Sequence, residues 1–184
     1  MGIGADYKMI RPRMTSDSLI IDDNKVSSFS ALAYIGYSKG KFGIKGQALY
    51  GQNLSDHLML GGYAVSSIDP TTDAREYVNL NNLSSWIDCN YRITPAVNLG
   101  LFAGYSQNLG TEKDVVGAFY GRGDDIASLY RLSPRIEWIY GPVQFIAEVE
   151  YTAAAFGKPD NRYKFDETET TNNLRVQTAL VYNF

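Results

Sequence analysis

The sequence predicts an all-β fold: an antiparallel up-and-down transmembrane β-barrel with eight meandering strands, in a single domain over residues 1–184. Three observations predict it. Apolar and polar residues alternate with a period of two through eight stretches, as in strands with one apolar and one polar face. The connections alternate between long and short, so that the short ones all fall at one end. A membrane barrel has that asymmetry, and a soluble sandwich has no reason for it. Finally, aromatic residues recur eight positions apart on the apolar faces: Phe29 and Tyr37, Phe42 and Tyr50, Tyr130 and Trp138. Eight residues at ~3.3 Å each, tilted by about 40°, climb about 20 Å, close to the ~25 Å apolar band that aromatic girdles bracket in such barrels.

The elements follow in order. The first strand covers Gly2 to Met14, with Ile3, Ala5, Tyr7 and Met9 against Gly4, Asp6 and Lys8. Thr15 to Asn24 is polar and acidic around Leu19-Ile20-Ile21 and reads as a loop. The second strand, Val26 to Ser38, turns at Lys39-Gly40, where glycine supplies the positive φ of a two-residue hairpin. The third presents Phe42, Ile44, Ala48 and Tyr50 on one face and Gly43, Lys45 and Gln47 on the other. Ser55 to Glu76, with Gly61-Gly62 and Asp69-Pro70, reads as a long loop. The fourth strand, Val78 to Arg92, and the fifth, Val97 to Asn108, are joined by a turn at Thr94-Pro95. Gly110 to Asp124 reads as a loop. The sixth and seventh strands flank Gly141-Pro142, Gly157 to Glu169 is a loop, and Leu174 to Phe184 closes the chain with Leu174, Val176, Thr178, Leu180, Tyr182 and Phe184 on one face.

Composition agrees. Fourteen Tyr and 17 Gly against 6 Pro suit aromatic strands and tight turns. A net charge of -3 gives no reason to expect a nucleic-acid partner, and no apolar run reaches the length of a membrane helix. Cys89 is the one cysteine, so no cysteine cluster holds a metal, and no cofactor is implied. Met1 runs directly into a strand without a basic-then-apolar leader. The expectation drawn is that the eight strands are the second half of a larger barrel, the alternative being a complete small one.

The polar faces carry Gly, Ser, Asn and Gln with charges of both signs, as expected of a wet lumen. The candidate pore-lining residues are Lys8, Lys45, Asp88, Arg131, Arg135, Glu137, Glu148, Glu150 and Arg175, with Asp6 beside them. A two-residue turn at Gly141-Pro142 sets Tyr140 opposite Val143, Trp138 opposite Phe145 and Arg135 opposite Glu148. The Arg135–Glu148 pair is expected to brace the wall. Arg131 and Arg175, with less obvious partners, are the better candidates for solute contact, Arg175 near the mouth at the loop end. On the other face, Tyr37, Phe42, Tyr91, Trp138, Phe145, Tyr182 and Phe184 form a membrane girdle at the turn end, and Cys89 faces lipid. Pro134 interrupts a strand and suggests a local bulge.

Other motifs weigh less. His57 is the single histidine and falls in a loop, so no catalytic triad is supported. Glu148 and Glu150 share a face but read as a luminal stripe rather than an acid–base pair. Arg122-Gly123-Asp124 is more readily a chance tripeptide than an adhesion motif. The loop acids Asp17, Asp22, Asp23, Asp69, Asp73, Asp114, Asp166, Glu167 and Glu169 read as solvated charge before cation sites.

Three segments carry a resemblance. Tyr130-Arg131-Leu132-Ser133-Pro134-Arg135, the run from Val143-Gln144-Phe145 to Ala153-Ala154-Ala155, and the closing Tyr182-Asn183-Phe184 resemble the C-terminal portion of porin-like outer-membrane proteins of the Bacteroidota. The resemblance implies a bacterial outer-membrane location and contact with lipid and lipopolysaccharide. It further implies recognition of the C-terminal strand by the barrel-assembly machinery, assembly as a homotrimer, and passive, non-enzymatic passage of small hydrophilic solutes, including anions. The alternative is a narrow barrel filled by side chains that serves as an anchor or adhesion platform.

Overall fold

The computed structural model describes residues 1–15 and 21–184; Asp17 and the Leu19-Ile20 part of the first loop lie outside the described residues. Among the described residues ten strands form: β1 (Gly2–Ile10), β2 (Val26–Lys39), β3 (Phe42–Gln52), β4 (Gly61–Ile68), β5 (Arg75–Thr94), β6 (Val97–Thr111), β7 (Phe119–Arg122), β8 (Ile126–Tyr140), β9 (Val143–Phe156) and β10 (Glu169–Tyr182). The only helical element among the described residues is a single 3₁₀ turn, Leu54–His57.

Eight strands pair antiparallel in the order β1-β2-β3-β5-β6-β8-β9-β10, each with its neighbour along this path. That path is the expected meander. The expected count of eight is nevertheless corrected to ten, because β4 and β7 arise inside segments read as loops. β4 pairs with the first part of β5 and with β7, forming a small side sheet at the loop end. Its glycines hid it: Gly61 and Gly62 read as turn formers, yet they lie in a strand where backbones close in. A Cβ on Gly62 would sit 2.4 Å from the Tyr120 carbonyl oxygen.

Strand ends also differ. β1 stops at Ile10 rather than Met14. β5 begins at Arg75, and β10 begins at Glu169 and ends at Tyr182, so Phe184 follows the strand. Short turns at Gly40 (φ 60°) and Gly141 (φ 56°) use the left-handed backbone that glycine allows. The Arg135↔Glu148, Trp138↔Phe145 and Tyr140↔Val143 register is as expected. The bulge expected at Pro134 is absent: β8 and β9 form no rung at Ser133 or Pro134, but the register resumes unshifted. A proline lacks the N–H for a rung, so the ladder skips it.

The sheet is not closed. β1 and β10 remain its two edges, and every residue of β10 is exposed. The alternation that suggested a barrel reports the two faces of each strand and says nothing of how far the sheet curls. The folded chain exposes 11485 Å² for 20.5 kDa, against about 8,900 Å² for a compact globular chain of that mass. Its few fully buried apolar side chains, led by Leu54, Val65 and Leu80, gather at the loop end beneath the side sheet.

The loops there are tied together. Arg13 bonds Asp22 (2.6 Å) and Asp73 (2.8 Å), joining the β1–β2 loop to the β4–β5 turn. Burial pushes the Asp22 carboxyl upward, but the Arg13 guanidinium and the Asn24 amide outweigh it and hold it below the usual carboxylate range. Arg162 bonds Asp114 at 2.7 Å, and Phe119 stacks on Tyr163. Gly123, in the Arg122-Gly123-Asp124 tripeptide, takes φ 69° against Leu60, which gives it a structural role.

Candidate functional site: the polar face of the sheet

The register sorts side chains onto two faces. On the apolar face, Tyr37, Phe42, Tyr91, Trp138, Phe145 and Tyr182 fall within the last rungs before the turns, and all are exposed. Phe29, Tyr50, Tyr105 and Tyr130 lie toward the loop end of the same face, with Ala31, Ala33, Ala48, Ile87, Leu101 and Leu132 between the two groups. Trp138 and Phe145 lie 5.6 Å apart across the β8–β9 pair. Phe184 is fully exposed beyond β10 and stacks on Tyr182.

On the polar face one ladder row runs Lys45, Asp88, Phe102, Ser133 across β3, β5, β6 and β8, and a rung on β9–β10 adds Glu150↔Arg175. The row beside it runs Gln47, Trp86, Gly104, Arg131. Eight of the nine predicted pore-lining residues, all but Lys8, therefore meet in one patch.

The pairing within that patch departs from expectation. Arg135 stands opposite Glu148, but its guanidinium reaches across β6 to Asp88 instead, with two bonds of 2.7 and 2.9 Å, and approaches Glu137 at 3.5 Å. Gly100 makes that reach possible. It is the rung partner of Arg135, and with no side chain there the arginine lies flat across the strand. A register argument sees adjacent strands and misses a partner two strands away. Glu148 instead accepts a hydrogen bond from the Gln177 amide at 3.0 Å. Glu137 also accepts the amides of Asn98 and Gln144.

Arg131 and Arg175, with less obvious partners in the sequence, both engage Glu150, at 3.2 and 2.9 Å. Glu150 is largely buried while the arginines stay 45% and 54% exposed, so two cations share one carboxylate and keep their heads in the open. Arg175 sits at mid-strand rather than at the mouth. Lys45 is exposed and makes no ion pair among the described residues.

Lys8 is placed differently from the other eight. It bonds Asp56 and the Asn53 carbonyl, pinning the 3₁₀ turn onto the polar face at the loop end. Leu54 of that turn lies against Gly51 and Ser30, both on this face. Hence Lys8 fastens a loop rather than lining an open wall. Asp6 lies 4.0 Å from His57 in the same region. No three His, Cys, Asp or Glu side chains among the described residues come together to hold a metal.

Trp86 and Phe102 are the residues that sequence reasoning missed. They stand on the polar face among Ser84, Asp88, Gly100 and Gly104, with ring centroids 6.1 Å apart and planes 24° apart. Strict parity would have found them, since each sits two positions from residues already assigned inward.

Searches against protein-family models, curated proteins and solved structures find no match for this chain.

Proposed function

We propose that this chain forms the wall of a β-barrel in a bacterial outer membrane and that the barrel is a channel for passive diffusion of small hydrophilic solutes. The observation that carries the proposal is the division of the sheet. One face is a continuous, exposed apolar surface with an aromatic row at each end, and the other is a charged wall. Apolar patches of this extent mark contact with a membrane or a partner. Tyr and Trp rings ranked at both ends of an aliphatic band suit the two headgroup zones of a bilayer. In hydrocarbon the unpaired edges of β1 and β10 must be satisfied, by each other or by further strands. The second of these makes the eight-strand path part of a wider barrel.

The polar face favours an open lumen over a filled one. In a narrow barrel, side chains fill the interior. Here long side chains lie down along the wall: Arg135 over Gly100, Phe102 over Gly104, Asn90 over Gly43. The wall carries Lys45, Arg131, Arg135 and Arg175 against Asp88, Glu137, Glu148 and Glu150, and its most exposed heads are cationic. That arrangement admits small anions. Outer-membrane lipid and lipopolysaccharide surround the barrel in this reading, the assembly machinery reads the strand ending at Phe184, and a homotrimer is the expected assembly. Purified protein added to a planar bilayer should give step-like currents; folded protein that inserts without them would leave the anchor reading in its place.

A further inference from the structure

Two aromatic rings, Trp86 and Phe102, stand together on the charged face. Phe102 reaches over Gly104: a Cβ there would be 3.0 Å from its ring. The ring is half-buried. Trp86 stacks on it from the neighbouring strand, and the two rings together make an aromatic platform. Cationic groups stand on both sides. Arg131 is the rung partner of Gly104, beside the Phe102 ring, and Lys45 projects from β3 next to the Trp86 strand. Across β3, β5, β6 and β8 this patch spans about 14 Å, three strand spacings. Arg131 and Arg175 share the buried Glu150 carboxylate and keep their own heads open to solvent.

We infer that Trp86, Phe102 and Arg131 form a binding subsite for a hydroxylated ring that carries a carboxylate, that is, an acidic monosaccharide. The ring's C–H face stacks on the aromatic platform, and its carboxylate takes the Arg131 guanidinium in a charge-assisted pair. Lys45 and Gln47 face the hydroxyl groups at the other side. The inference rests on reading the polar face as water-filled.

Tryptophan emission tests it without requiring conduction. The chain has two tryptophans, and Trp138 lies on the opposite face. In Trp138→Phe protein in detergent micelles, Trp86 is the sole reporter. Sodium glucuronate, titrated at constant ionic strength, should change its emission saturably, with a midpoint about tenfold below those of glucose and acetate, which lack the charge and the ring respectively. Arg131→Gln should bring the glucuronate midpoint up to that of glucose. Phe102→Leu, which keeps apolar volume but removes the ring, should raise it about three- to tenfold. Heat-modifiable electrophoretic mobility checks that each variant is folded. A flat glucuronate titration, equal midpoints for glucuronate and glucose, or folded variants with unchanged midpoints would each overturn the subsite. Protein that binds glucuronate but passes no current sinks the channel and keeps the subsite, while protein that conducts with a flat titration does the reverse.

Discussion

Gly100→Ala should expose how far the charged wall depends on a missing side chain. The backbone at Gly100 is ordinary extended strand, so alanine brings no conformational penalty there. The cost is steric. The new Cβ would lie 2.5 Å from Arg135 Cζ and Nε and 2.7 Å from its Cγ, where carbon contacts prefer ~3.5 Å or more. The guanidinium must lift by about 1 Å, which carries it out of line with the Asp88 carboxylate and weakens both bonds. Both side chains are about one-fifth exposed, so the bidentate pair is only partly screened. Its loss should cost on the order of 1.5–2 kcal/mol. Urea unfolding from micelles measures that cost, and a double-mutant cycle with Asp88→Asn identifies its source. If Gly100→Ala acts through the Arg135–Asp88 pair, the two changes together should cost about 1.5 kcal/mol less than their sum. Additivity within about 0.5 kcal/mol would mean the glycine serves something other than the arginine, and the account of the wall would fail.

Three further outcomes follow from the same geometry. Deleting Phe184, exposed and outside β10, should reduce membrane assembly in cells while leaving the urea midpoint of refolded protein unchanged; unchanged assembly would remove its proposed role. Cys89 falls on the apolar face in register with Ile44 and Leu101. A nitroxide there in reconstituted protein should collide with oxygen in preference to a water-soluble nickel chelate, and the opposite preference would turn the sheet inside out. The third concerns pH at the loop end. Because Asp22 is held below its ordinary value by Arg13, its contribution to the Arg13 tie is complete above the unfolded carboxylate range, about pH 4. It is lost only as pH falls further. Hydrogen exchange of the backbone around Arg13, Asp22 and Asp73 should therefore be alike in protection at pH 7 and pH 5 once corrected for intrinsic rates, and protection should fail only below the ordinary carboxylate range. Loss of protection already between pH 7 and 5 would assign the tie to another group.

The meander was legible because strand faces are written in alternation. Phe29 to Tyr37 or Leu174 to Tyr182 declare which side is apolar with no knowledge of neighbours. One hairpin register was legible too, since Gly141-Pro142 leaves a two-residue turn that fixes the rungs from Tyr140 back to Ser128. The β2–β3 turn is instead Gly40-Lys41, one place beyond the expected Lys39-Gly40, and Lys39 stands opposite Phe42. Most of the polar patch followed from parity and register together. β4 and β7 were not legible. They are short and rich in glycine; β4 becomes a strand only because β5 runs on past the main sheet to offer it an edge, and β7 because β4 then offers another.

Partner choice on the wall belongs to the tertiary structure alone. Parity and register alone set Arg135 opposite Glu148 and put Trp138 and Phe145 together on the other face. They did not determine where flexible side chains go. An arginine reaches two strands away when a glycine clears its path, and a buried carboxylate gathers whichever cations come within reach. Alternation is a property of the backbone and survives without context. Ion pairing and ring stacking depend on which strands the fold sets side by side, and on what each rung leaves empty.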